Sequence, residues 1–406
     1  PLQIFRHLEV TSQGRGRSPT VSAIALAQAG AARLRIHPSP FFLLTSPQMP
    51  ARKKWRIAGI NFDFRHMDHL LSHAHTARNA EIVGISHEDS KEMQDAIRDC
   101  SIPNDRVFTD WKKCIEQTKP DVVILCPASG AHADWVEKVA PYKVHVLIEK
   151  PFAANLAQAD RMVAAMKKTG RKLAINWPLA WYPPHITAHR LVRAGRIGDL
   201  QEVHFYDGNR SPIWERGNPK ATPPTLAQKK ASWFYDANGG GSLIDYLGYG
   251  STLATWYFDG KKPTEITAVT AGARGVPADE QSVTTARYGE WLSTFHTRWG
   301  TFSDPWEHQP QPKCGFVLKG SRGTIANYDY EDTIRVQTAR HPEGKVIAVD
   351  KPKRPRTNPV QYFLNCLETG EPIAGPLSPK IARIGQQIVD TSALSAKQKK
   401  TLKLLK

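Results

Sequence analysis

Cysteine is scarce and badly placed for cross-linking. The 406-residue chain has five, Cys100, Cys114, Cys126, Cys314 and Cys366, widely spaced and without a C-x-x-C pair. This argues against a disulfide framework or a closed thiolate zinc site and suits a reducing compartment, so a cytoplasmic location is expected, with periplasmic export left open. No apolar stretch reaches the length of a bilayer span, and no membrane partner is expected. Acids are in deficit, with 38 Asp and Glu against 55 Lys and Arg, which leaves a net charge of +17. An excess of this sign bears on solubility and on attraction for phosphate-bearing ligands. The basic residues are scattered, apart from 351–356 and the terminal stretch 397–406. No basic helix with interleaved aromatics and no zinc-finger spacing is present, so no nucleic-acid partner is expected. The remaining composition, 40% hydrophobic and 23% charged, is that of a globular protein long enough for two domains.

Residues 1–48 are basic, with Glu9 their one acid, and the chain begins at Pro1. They read as a leader that is disordered or not native, with Met49 as the natural start. From 49 to 177 apolar runs at 55–59, 82–85, 122–125, 144–148 and 173–176 alternate with helical stretches, the pattern of βαβ units. The expected domain is α/β, a Rossmann doubly wound parallel sheet. Residues 178–396 change rhythm: a helix, a strand, a Pro-rich loop, a helix over 242–258, then alternating runs from 265 to 338 and two closing helices. This reads as an α+β domain with an open, mainly antiparallel sheet, which the resemblance given below makes a substrate and oligomerisation domain. Residues 397–406 read as a basic tail.

The first strand exits through "GINFDFRHMDHLL". A dinucleotide fingerprint would place glycines where Asn61 and Phe64 stand, and only Gly59 survives. The strand–helix context still suits a phosphate loop, and Asn61 tolerates positive φ. Gly59, Asn61 and Phe62 are the candidate phosphate-loop residues. The second strand ends at Ser86, with His87 next, where an acid would bind the adenosine ribose. Serine removes the charge that repels a 2′-phosphate, so the expected cofactor is NADP or NAD. His66, His69 and His73 share one helical face. With no other ligand in view they read as a solvated face, and no metal is expected.

A buried strand ends abruptly in Glu149-Lys150-Pro151, after a fourth strand that exits through Pro127 toward His132. Further on stands "GGGSLIDYLGYG", with Asp245 and Tyr249 one helical turn apart. Together these stretches resemble the Gfo/Idh/MocA oxidoreductases, a family that includes glucose–fructose oxidoreductase and inositol dehydrogenase. Tyr249, where many relatives have His, favours the glucose–fructose oxidoreductase-like branch. The resemblance covers about 55–400. It implies that Pro127, His132, Glu149 and Lys150 serve the cofactor, and that Lys150 also binds a sugar hydroxyl and assists its deprotonation. Asp245 would fix the sugar, and Lys150 or Tyr249 would act as the base. A cis bond before Pro151 would fix the direction of the lysine. The glycines before Ser242 suit a close backbone approach to a ligand. Trp181 and Tyr182 follow an aromatic–Pro rhythm and are candidate substrate residues.

The resemblance therefore implies hydride transfer between a sugar or polyol hydroxyl carbon and the nicotinamide, in a homodimer or homotetramer formed through the C-terminal sheet. A redox-neutral NAD-dependent glycoside hydrolase and a non-catalytic nucleotide-binding protein are the alternatives.

Overall fold

The computed structural model describes residues 54–214, 222–272 and 274–406. The expected leader lies outside them. The first half contains strands β1 (Trp55–Ile60), β2 (Ala80–Ser86), β3 (Val107–Phe108), β4 (Val122–Leu125), β5 (His145–Glu149) and β6 (Leu173–Asn176). Between them lie helices α1 (His66–His75), α2 (Gln94–Asp99), α3 (Trp111–Thr118), α4 (His132–Val139) and α5 (Leu156–Thr169). The strands are parallel in the order β3-β2-β1-β4-β5-β6. The order reverses between β1 and β4, and an open sheet of this kind binds ligand at the carboxyl ends of its strands there. The punctuation read from the sequence is visible in α5. The Asn155 side chain accepts from Gln158 N at its start, and Gly170 ends it at φ 67°.

The second half runs α6 (Pro183–Arg193), β7 (Leu200–Asn209), α7 (Leu226–Lys230), α8 (Ser242–Tyr257), β8 (Glu265–Ala271), β9 (Gln281–Tyr288) and β10 (Trp291–Trp299). Then come β11 (Gly315–Gly320), β12 (Gly323–Tyr328), β13 (Thr333–Thr338), β14 (His341–Ala348), α9 (Pro359–Thr369), α10 (Pro379–Gln398) and β15 (Leu402–Lys403). The described strands form one sheet, ordered β14-β13-β12-β11-β7-β10-β9-β8-β15. It is antiparallel except where β7 runs parallel to β10, with Phe205 opposite Phe295. The stretch expected as a basic tail supplies an edge strand. Leu402 pairs with Ile266, and Gln387 donates to the Leu405 carbonyl.

Helix α8 is buried along nearly its whole length, against β7 and β10 on one side and α10 on the other. Helix α10 in turn reaches α5, so one buried helix ties both sheets into the unit 54–406. The sequence "GYG" within α8 has a packing reason. A Cβ on Gly248 would lie 2.4 Å from the Trp177 ring, and one on Gly250 would lie 2.4 Å from Phe205. Fully burying an aromatic such as Phe205 or Phe295 stabilises the fold by about 1.5–3 kcal/mol. Only glycine lets both rings press onto the helix. The "GGG" before α8 also has a packing reason. Its glycines are crowded by protein, because a Cβ on Gly240 would lie 2.4 Å from the Asp236 carbonyl oxygen and one on Gly241 would lie 2.4 Å from Asp279.

Candidate active site

The ends of β1, β2, β4, β5 and β6 converge on one crevice, and the first turn of α8 meets it. Strand β5 delivers Glu149 and Lys150, and the Lys150–Pro151 bond is cis, as the sequence suggests. Lys150 Nζ lies 2.7 Å from Asp245 Oδ1. Both side chains are buried, so the two ends of the pair come from the two halves of the chain. The ammonium also sits over the Phe64 ring at 4.4 Å and near the Tyr249 ring at 5.3 Å. Aromatic faces of this kind attract a cation and keep water away from it. Phe64 is the residue that breaks the glycine fingerprint, and here it forms a wall of the lysine pocket.

Glu149 is fully enclosed. Its Oε1 lies 2.8 Å from His66 Nδ1, and its Oε2 accepts from Asn176 Nδ2 at 2.7 Å. Burial alone would push its carboxyl upward. The His66 and Lys150 charges and the two hydrogen bonds outweigh burial and hold it below the ordinary carboxylate value. The glutamate thus remains a fixed negative charge behind the lysine.

Tyr249 is the other candidate base. Burial, reinforced by the Glu149 and Asp245 charges, pushes its phenol well above the ordinary value. It remains an O–H donor, set edge-on to Trp177 at a centroid distance of 5.2 Å. Asp207, at the end of β7, joins the same electrostatic neighbourhood. Burial and then the Asp329 charge push its carboxyl well above the ordinary value, and Asp245 adds to the effect. Asp279 anchors the start of α8. It accepts from Ser242 Oγ at 2.6 Å and Leu243 N at 3.0 Å, while burial lifts its carboxyl to about 6.

At the nucleotide end, Asn61 adopts φ 66° and its amide donates to the Ser86 carbonyl. Gly59 faces α1, where a Cβ would meet Leu71 and Met67 at 3.1 Å. Phe62 is buried edge-on to His87. Ser86 Oγ is buried and has no hydrogen-bond partner, at the strand end where a ribose hydroxyl binds in this fold. His87 Nε2 lies 3.3 Å from Asp63, whose second oxygen accepts from Ala128 N at 3.0 Å. The Asp63 hydrogen bond is the main cause that raises the His87 imidazole above its ordinary value. An orphaned hydroxyl, a left-handed residue in a glycine position and a raised imidazole fit an adenosine ribose, with or without a 2′-phosphate.

His132 is wholly buried, with Nε2 3.1 Å from the Pro127 carbonyl and Nδ1 3.2 Å from the Phe152 carbonyl. It pins the loop after β4 to the turn after β5. Tyr182 meets Tyr330 hydroxyl to hydroxyl at 2.8 Å. Trp181 packs on Tyr362 and lines a cavity that none of Lys150, Asp245 and Tyr249 lines. His66, Asn176, Asp207 and Asp279 are additions to the predicted set. The signal for Asn176 is a polar residue at the carboxyl end of a buried parallel strand. His66 shows in the sequence only as part of a histidine row. His73, on that row, is held neutral, its imidazole lowered by burial to about 4.

A Rossmann sheet whose strand end delivers a buried lysine to an aspartate from a second, sheet-based half is an architecture suited to a dinucleotide-binding oxidoreductase. Residues 53–177 match the family model described as "Oxidoreductase family, NAD-binding Rossmann fold", and 185–326 match the "GFO/IDH/MocA C-terminal domain". The chain belongs to the Gfo/Idh/MocA oxidoreductase family. Inositol 2-dehydrogenase of Salmonella typhimurium is 26% identical over 160 residues, 39% of this chain and 47% of that protein. The chain thus spans about half the length of the curated relatives it matches. An oxidoreductase from Agrobacterium radiobacter, solved in complex with NAD+, L-tartaric acid and magnesium, superposes with a TM-score of 0.69 at 16% identity, covering 87% of this chain and 99% of that one. Aldose–aldose oxidoreductase from Caulobacter crescentus, complexed with glycerol, gives 0.68 at 20% identity, with 87% and 100% covered. At these identities the superpositions establish the fold.

Proposed function

We propose that the protein is an NAD(P)-dependent oxidoreductase that moves hydride between a secondary alcohol carbon of a sugar or polyol and the nicotinamide. The buried Lys150–Asp245 pair at the strand ends carries this reading. The inositol dehydrogenase and aldose–aldose oxidoreductase relatives support the substrate class. The nicotinamide supplies the hydride acceptor. Gly59, Asn61, Phe62, Ser86 and His87 would hold the adenosine and phosphate portions, while Pro127, His132 and Glu149 would serve the nicotinamide end.

The protein's part is positioning and proton transfer. Lys150 donates a hydrogen bond to the reacting hydroxyl, and Asp245 fixes that lysine while accepting from a neighbouring hydroxyl. As the C–H bond yields hydride, the O–H bond breaks: Lys150 passes one of its protons to Asp245 Oδ1 at 2.7 Å and takes the hydroxyl proton in its place, which leaves Asp245 protonated. The carbonyl remains. Glu149 keeps negative charge behind the lysine, and Tyr249 contributes its O–H as a donor and its ring as a water-excluding wall. Subunit pairing would use the outer sheet, where Val269 and Leu292 are exposed. Among the described residues no helix is long and apolar enough to cross a membrane.

The test is a panel of polyols and aldoses incubated with NAD+ or NADP+. The proposal expects reduced nicotinamide and a product lighter by two hydrogens in equal amounts. Cleavage of glycosides without net reduced cofactor would overturn it.

A further inference from the structure

Helix α8 has a different site at each end. Asp245 lies in its first turn and Trp256 in its last, separated by roughly 16 Å of helix axis. Trp256 lines a cavity of about 440 Å³, within the range of small-molecule sites, about 300–1,000 Å³. Its walls are aromatic on one side, with Trp181, Trp256 and Tyr362, and cationic on the other, with Lys351, Lys353 and Arg354.

The charge at this cavity is uncompensated. Arg190 is held by Asp350 through contacts of 2.7 and 3.2 Å, which uses its charge. Arg356 lies over the Tyr362 ring at 5.3 Å. Among the described residues, no carboxylate pairs with Lys351, Lys353, Arg354 or Arg356. The Trp181 indole N–H is buried without an acceptor, and His189 stacks on Trp256 at 3.8 Å to form a flat plate. A concave site with several unpaired cations and a flat aromatic wall has the chemistry for an anion joined to a planar or ring-shaped body.

We propose that this cavity binds a phosphate-bearing small molecule with a flat face, a nucleotide or a sugar phosphate, at a site separate from the Lys150–Asp245 crevice. Calorimetric titration of the full chain with AMP, glucose 6-phosphate and inorganic phosphate, with and without excess NAD+, tests it. One equivalent of AMP or of glucose 6-phosphate should still bind in excess NAD+, and the tighter of the two identifies the ligand class. Lys353→Glu combined with Arg354→Glu, both exposed positions, should weaken that binding by about tenfold or more. Lys150→Met, in the separate crevice, should leave that binding unchanged. Binding of all three probes that is fully displaced by NAD+, or that the charge reversals leave intact, would overturn the proposal. Inorganic phosphate binding as tightly as either ester would overturn the assignment of a flat face.

Discussion

Lys150 and Asp245 meet at 2.7 Å although they lie on different sheets' supporting elements, one at the end of β5 and the other in the first turn of α8. The contact joins the nucleotide-binding half to the substrate half at the point where chemistry is proposed. Both side chains are buried, so each depends on the other for its charge to be tolerated.

Removing one partner should therefore destabilise more than removing both. Lys150→Met or Asp245→Leu alone is expected to cost about 3–5 kcal/mol, and the double variant should recover much of that. Urea denaturation of the three variants checks this. A double variant as unstable as the sum of the singles would show that the pair is not coupled.

Ser86 should govern the choice of cofactor. Ser86→Asp places a charge where a 2′-phosphate would lie and should raise the NAD+ over NADP+ preference in kcat/KM by about tenfold or more, from electrostatic repulsion at short range. Equal ratios in the two proteins would move the ribose contact elsewhere, to His87 or Glu88.

Gly248→Ala puts a methyl 2.4 Å from the fully buried Trp177 ring. Overpacking of this kind costs about 1–3 kcal/mol. A Cβ on Gly260 would have no neighbour within 4 Å, but the residue lies at φ 85°, so Gly260→Ala isolates the backbone cost. Comparing their thermal midpoints separates crowding from conformation, and an unchanged midpoint for Gly248→Ala would contradict the packing account.

Stability should fall on the acid side of neutrality. Burial is the first cause that lowers His73, His145 and His189 from 6.5 to about 4, with neighbouring arginines adding to it at His145 and His189. Between those values the unfolded chain binds protons that the folded chain does not. The stabilisation is thus fully present above 6.5 and is lost as pH falls toward 4. Each histidine contributes on the order of 1–3 kcal/mol, with solvent screening placing His145 and His189 toward the lower end. His189→Phe keeps the stack on Trp256 and should flatten the slope of urea midpoint against pH. A slope that stays the same would remove His189 from the account.

The parallel sheet is legible because strands buried on both faces appear as short apolar runs between helices. The Lys150 and Asp245 positions are legible because each follows a recognisable local stretch. Their contact is not, since nothing in 144–153 reports on 242–250. Strand β14 is not legible either, because its residues are mostly exposed and lack the alternation that marks a half-buried strand. The edge strand at Leu402 is two residues long and sits among lysines. Tyr249 can be placed from sequence, but the upward push on its phenol comes from burial beside Glu149 and Asp245. Trp181 follows a local rhythm, and only the tertiary fold shows it turned to a different cavity.

The most direct measurement is of Lys150→Met, with nucleotide affinity and turnover measured on the same preparation. Loss of a positioned acid–base group costs about 10²–10⁴-fold in rate. The account predicts a loss of that size in polyol oxidation, with NAD(P)+ affinity changed little and the fold retained. Turnover close to that of the unaltered protein would contradict the role of the Lys150–Asp245 pair in the chemistry.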